Sequence, residues 1–266
     1  MHGHADSTSH PMYAGTHSLR IALAVLVTLA PAQGGAQSAP SSAPLFTRRD
    51  ALFIALFSAA SVATTRVDSR IAHRVAREDI QGRTALERTA NIFNFVNEKS
   101  LFLAGVAGYG ISRLAAGTDA AGTDVSAHLA EAVLISTMLN TAVRGTLGRS
   151  RPMITNGDDP YDFHFMRGWR DFDYRAFPSV HASASFATAA VLTGETHRRA
   201  PAAAPLVGIV TYTLAAMPGL ARVYKEKHWA SDVIMGAFVG TLTGLKVLRH
   251  EHRGTSTWVS RNLLGR

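Results

Sequence analysis

From Leu45 onward the chain reads as one helical segment after another, and that succession limits what it can fold into. Alanine-rich apolar runs with few β-branched alternations favour helices over strands. The pattern predicts an apolar helix over residues 50–64 and an amphipathic one over 66–78. Further helices follow over 84–97, 100–114 and 125–147, the last with His128, Glu131 and Asn140 as polar interruptions. Residues 151–177 read as a loop, because Pro152 and the run Asn156-Gly157-Asp158-Asp159-Pro160 punctuate them. Helices resume over 181–197, 203–225 and 228–250. The expected fold class is all-α. With 266 residues the chain can build one good-sized core, and nothing forces a second domain.

The N-terminus has the form of an export signal. Arg20 precedes the uncharged run 21–30, and Ala30-Pro31-Ala32 supplies small residues at signal-peptidase spacing. The expected organisation is a signal peptide over 1–32 (Met12 being an alternative start), a Gly/Ala/Ser/Pro-rich linker over 33–44, a helical domain over 45–250 and a tail over 251–266. A disordered tail with a membrane anchor is the plainer alternative for the start. The expected location is the cell envelope, on its periplasmic side. Residues 200–221 are uncharged and long enough to span a bilayer, although Pro201, Pro205 and Pro218 weaken that reading. The runs 51–65, 101–112, 132–143 and 233–245 each end in a charge at a length better suited to a buried core helix. With a mean hydropathy near zero, the expectation leans away from a chain made mostly of spans.

Net charge is +8, which favours anionic partners such as nucleic acid, anionic lipid or phosphorylated substrates. There is no cysteine, so disulfides, zinc–thiolate sites and thiol catalysis are excluded. No His/Asp/Glu group shows metal-ligand spacing along the sequence, and no cofactor is expected. His2, His4 and His10 lie in the N-terminal segment and read as incidental.

Three short stretches in the second half carry candidate chemistry. Arg144 and Arg151 are seven residues apart, two helical turns, so both guanidinium groups can face one way at a helix end that Pro152 stops. Their planar forks match phosphate oxygens. A solvated basic helix end would look the same. Next, Phe177-Pro178-Ser179-Val180-His181 opens a helix, with Ser179 as a plausible N-cap. Such a terminus offers free N–H groups to an anion, and His181 beside it can serve as acid or base. Last, His228 and Asp232 stand at i and i+4, as neighbours on one helix face. A carboxylate on one ring nitrogen would leave the other free to attack. Arg222 adds a third cation.

Taken in order, the three stretches resemble the signature of the type 2 phosphatidic acid phosphatase and vanadium haloperoxidase superfamily: K-x-x-x-x-x-x-R-P, P-S-G-H and S-R-x-x-x-x-x-H-x-x-x-D. Arg151, Pro152, Pro178, Ser179, His181, Arg222, His228 and Asp232 occupy matching positions at matching spacings. Three positions depart. Arg144 stands for the Lys, Ala221 for the Ser before Arg222, and Val180 for the Gly, where a β-branched side chain could strain the turn or crowd the site.

The resemblance implies an all-α helical bundle with the active site at one end of the core helices. It also implies a metal-independent phosphatase acting through a phosphohistidine. His228 would be the nucleophile, Asp232 its orienting group and His181 the general acid and then base. Arg144, Arg151, Arg222, Ser179 and the Val180 N–H would hold the phosphate. The expected partner is a phosphorylated small molecule or lipid, with membrane association open and nucleic acid excluded. Two alternatives share the fold: a vanadate-dependent haloperoxidase, disfavoured by the chain's modest length, and a non-catalytic binder of phosphate or lipid head groups. Tyr161, Phe163, Phe165, Trp169 and Phe172 would rim the site, either gripping an apolar substrate or packing the loop onto the bundle.

Overall fold

The structure is a computed structural model that describes residues 47–117 and 121–252. The expected signal and linker lie outside the described residues, as does the chain beyond His252. Eight α-helices follow in order, with no β-strand among the described residues. They are α1 (Arg48–Ala76), the single turn α2 (Glu78–Gln81), α3 (Thr84–Asn94), α4 (Glu98–Ala116), α5 (Ala121–Leu147), α6 (Val180–Arg199), α7 (Ala204–Tyr224) and α8 (Ala230–Glu251). The segment between α5 and α6 is irregular, with short 3-10 turns at Pro152–Ile154, Arg167–Trp169 and Phe172–Tyr174.

Helix α6 is the hub, packed against α5, α7 and α8, while α1 covers α8, α4 covers α5 and α3 covers α7. Small residues make α6 suited to this place. Ala182, Ala184, Ala187, Ala189 and Ala190 are all buried, so neighbouring backbones can come close. Helix α8 answers with glycines. A Cβ on Gly236 would lie 2.3 Å from the Ser179 carbonyl oxygen, and one on Gly240 would lie 2.0 Å from that of Ser183. Only glycine permits this approach, and it sets α8 in register with the start of α6. The apolar core continues through Val125, Leu129, Ala132, Val191, Val247 and Leu248.

At three places the cause of a helix start, stop or continuation differs from the sequence expectation. Helix α1 runs unbroken through residues 64–66, since nothing there ends it, and a Thr47–Asp50 capping box fixes its start. Helix α5 ends at Leu147 as expected, but Pro152 is not what stops it, and Arg151 lies beyond the helix. Gly148 takes φ +62 and donates to the Arg144 carbonyl, so the left-handed residue stops the helix first. Helix α8 starts at Ala230, which leaves His228 outside it.

Among the described residues, three helices are long and apolar enough to cross a membrane: Asp50–Ala76, Pro201–Tyr224 and Ala230–Glu251. The second was expected. The first and third are longer than the apolar runs 51–65 and 233–245, because the helices continue past the charges that ended each run; the third is half buried against the bundle, as expected of a core helix. Leu52, Phe53, Leu56 and Val62 on α1, and Leu206, Ile209 and Leu214 on α7, stand exposed. An apolar surface this continuous suits lipid rather than water, and the chain is membrane-associated.

Candidate active site

The end of the bundle where α5 stops and α6 and α8 start gathers the three sequence stretches. Ser179 caps α6, accepting from the Ala182 N–H at 3.5 Å, and its own N–H donates to the Asp232 carbonyl at 3.0 Å. The first N–H groups of α6, at Val180 and His181, therefore sit at the positive end of the helix without helical acceptors. Val180 is the first helical residue. Among the described residues, positive φ outside glycine is confined to Asn156, Met166 and Glu226, so Val180 carries no left-handed strain.

His228 is 2% exposed, and its Nδ1 lies 2.6 Å from the Ala176 carbonyl oxygen. A carbonyl can only accept, so Nδ1 carries the proton and Nε2 keeps its lone pair. Asp232 Oδ2 lies farther from Nδ1, at 3.5 Å. That oxygen instead accepts the Trp229 N–H at 2.7 Å and so closes the start of α8, while Oδ1 meets Arg149. The expected pair with Asp232 is present at ion-pair distance, with the Ala176 carbonyl as the nearer partner of Nδ1. His228 precedes the helix, and a backbone carbonyl is its nearest anchor.

Arg144, Arg151 and Arg222 converge from α5, the following loop and α7. The Nε atom of each is buried without a hydrogen-bond partner. Burial pushes Arg144 and Arg151 below the usual guanidinium range, and the charge of Arg175 lowers both further. Arg222 is steadied by Asn94 on α3, at 2.8 Å. His181 faces the same group. Burial, then Arg222, His228, Arg144 and Arg151, push its pKa down to about 3. Its Nδ1 is buried without a hydrogen-bond partner, 3.8 Å from Glu98 Oε2, which is equally unpartnered. Three cations with unspent donors, beside a neutral imidazole and a helix N-terminus, form a cradle for a compact polyanion.

Residues 126–255 match the PAP2 superfamily. The chain belongs to this superfamily. Over 69 residues, 26% of the chain, it is 36% identical to the lipid A 1-phosphatase of Porphyromonas gingivalis, and it spans 15% of that relative's length. Among solved structures it is similar to a transmembrane PAP2 type phosphatidylglycerolphosphate phosphatase from Bacillus subtilis. The TM-score is 0.49 at 15% identity, over 79% of this chain and 98% of that one.

This PAP2 chain surrounds the cradle with residues the sequence reading passed over. Arg149, 1% exposed, lies between two carboxylates: Nη2 donates to Asp68 Oδ2 at 3.0 Å and Nη1 to Asp232. It also donates to Ser231 Oγ and to the Pro160 carbonyl, both at 2.8 Å. Asp68, on α1, accepts the Ser231 N–H at 3.0 Å. The loop folds back on the end of α5 through Ser150 N–H to Asp162 O, Arg151 N–H to Asp173 O and Ala176 N–H to Arg149 O, each 3.0 Å. This carries the Ala176 carbonyl to His228. All five rim aromatics are exposed, although Trp169 also packs against Gly145, Phe163 against Arg149 and Phe172 against Arg175.

Proposed function

We propose that this chain is a phosphatase that releases phosphate from a lipid phosphate monoester through a phosphohistidine on His228. The observation that carries the reading is the trio of buried guanidinium Nε atoms without acceptors around His181 and His228. Gathering three like charges with unmet donors is costly unless an anion completes them.

In the proposed reaction His228 Nε2 attacks phosphorus and the bond to the ester oxygen breaks. Arg144, Arg151, Arg222, Ser179 and the Val180 N–H take the equatorial oxygens. His181 gives a proton to the leaving alkoxide and then takes one from the water that cleaves the phosphohistidine. In the empty cradle His181 is neutral near pH 7. A bound phosphate dianion reverses the surrounding field and restores the proton that the acid step needs. Arginines supply the charge stabilisation, so no step draws on a metal.

A lipid substrate follows from the apolar faces of α1 and α7 and from the exposed Phe165 and Phe172 on the rim. The lipid A activity in the name of the Porphyromonas gingivalis relative points the same way. The test is phosphate release by the purified chain in detergent micelles, against a lipid phosphate monoester, an isoprenoid pyrophosphate and a short soluble ester. The lipid monoester is expected to lead, and His228→Ala to release nothing from any of them. Release that persists in His228→Ala would overturn the reading.

A further inference from the structure

At the other end of the bundle, away from the phosphate cradle, three side chains from three helices close on one point. His128 Nδ1, from α5, lies 2.7 Å from Glu195 Oε1, from α6, and His252 Nε2, at the end of α8, lies 2.8 Å from the same oxygen. The two imidazole rings meet edge to face, 5.3 Å between centroids, so their nitrogens reach that oxygen from different directions. One possible ligand atom from each residue lies within 4.8 Å of the others. His128 and Glu195 are buried. Glu195 stands 14 positions after His181 on the same helix, which separates the two sites by about 21 Å.

We infer that His128, Glu195 and His252 form a binding site for one divalent first-row metal ion, zinc being the best match. Two imidazoles and a carboxylate are a ligand set such ions accept, with a position left for water. Ligand atoms around tetrahedral zinc stand about 3.3 Å apart, so small side-chain rotations open the present contacts to that spacing. Two further groups are placed as outer supports. Glu195 Oε2 faces Arg199 and Arg198, which fixes the carboxylate with Oε1 turned inward. Glu251 Oε2 lies 3.9 Å from His128 Nε2, and its Oε1 is buried with no partner. A carboxylate there suits a histidine that binds metal through its other nitrogen. The ion would tie α5, α6 and the end of α8 together. The sequence hides the set, because 67 positions separate His128 from Glu195 and 57 separate Glu195 from His252.

The test uses the full chain in detergent, stripped with EDTA and dialysed, then titrated with zinc chloride by calorimetry and with cobalt chloride by visible absorption. Wild type is expected to take up one equivalent tightly, to show tetrahedral cobalt bands and to melt at a higher temperature with zinc. His252→Ala, at a partly exposed helix end where loss of the ring spares the core, should weaken that equivalent at least about tenfold. Glu195→Gln should do the same if it folds, and His252→Ala decides if it does not. The triple variant His2→Ala, His4→Ala, His10→Ala should keep it. Absence of a bound equivalent, unchanged affinity in His252→Ala, or loss in the N-terminal variant would each overturn the site. None of these readouts depends on phosphate release.

Discussion

Arg149→Met isolates the buried network under the active site. The guanidinium holds Asp68 and Asp232 together and anchors the Pro160 carbonyl. Methionine roughly keeps the stem's volume, so the cavity cost stays small. What goes is the charge. Removing one partner of a buried pair costs about 3–5 kcal/mol, since a carboxylate is left uncompensated. Here each carboxylate keeps a donor: Asp68 has the Ser231 N–H and Asp232 the Trp229 N–H. That places the expected loss near the lower figure, about 3 kcal/mol, against a typical total of about 5–15 kcal/mol. For a chain of this size it corresponds to roughly 6–12 °C in Tm. The triad Asp68–Arg149–Asp232 carries one net negative charge, so Asp68→Asn neutralises it at nearly constant shape and should cost less than Arg149→Met. Thermal melting in detergent, with residual phosphate release after heating, measures both. An Arg149→Met protein as stable as wild type, or an Asp68→Asn protein less stable than Arg149→Met, would refute the account.

His181→Ala should slow hydrolysis of an alkyl phosphate about a hundredfold or more, and of an aryl phosphate much less, because an aryl leaving group needs less help from a proton. Equal losses would remove His181 from the acid role. Tungstate, a dianion near pH 7, should take up a proton on binding, because His181 starts far below its ordinary pKa in the empty cradle and the anion raises it. Affinity should then fall as pH rises through the raised value. Calorimetry in two buffers of different ionisation enthalpy reads this, and uptake that persists in His181→Asn would assign the proton elsewhere. Phosphate release should survive EDTA while Tm drops; activity lost on chelation and restored by a divalent ion would place a metal in the chemistry. Orthovanadate should inhibit, and bromide oxidation by the vanadate-loaded chain with peroxide would favour the haloperoxidase alternative.

What could be read from the sequence divides along physical lines. Helices and their order were legible because length, alanine content and turn residues act locally. The cradle was legible because its members sit in three short stretches whose spacing is itself informative. The supports were not. Arg149 lies between Arg144 and Arg151, yet its partner Asp68 is 81 positions away on α1, and an Asp flanked by Arg66 and Arg70 does not name its cation. A third Arg within eight residues, together with that Asp, was the available signal. The anchor of His228 is the backbone carbonyl of Ala176, which has no signature in side-chain identity. Misplacing His228 on α8 has the same root. Asp232 does reach the ring four residues back, at 3.5 Å, but its shorter bond caps the helix at Trp229, so the ring lies outside the helix.

Val180 is where this chain departs most from its family's pattern, and the structure changes what its replacement should do. If the family glycine were needed for positive φ, valine would cost about 1–3 kcal/mol in strain, but Val180 is the first residue of α6 and lies outside the positive-φ positions. The other concern with a β-branched residue here is bulk beside the phosphate. The valine is 2% exposed, so its side chain packs against protein and offers almost no surface to a ligand entering from solvent. Removing it opens space in the interior and frees the backbone at the helix start. Burial of a valine is worth about 1.5–3 kcal/mol, and glycine adds a smaller conformational penalty. Val180→Gly is therefore expected to lower Tm by several degrees while kcat/KM stays within about threefold of wild type, since the N–H that the site uses is unchanged. Val180→Ala, which keeps the β-carbon and the helical preference, should fall between the two in Tm. A rise of tenfold or more in kcat/KM for Val180→Gly, larger for bulky substrates than for small ones, would show that the side chain does narrow the pocket and that its burial has been assigned to the wrong neighbours.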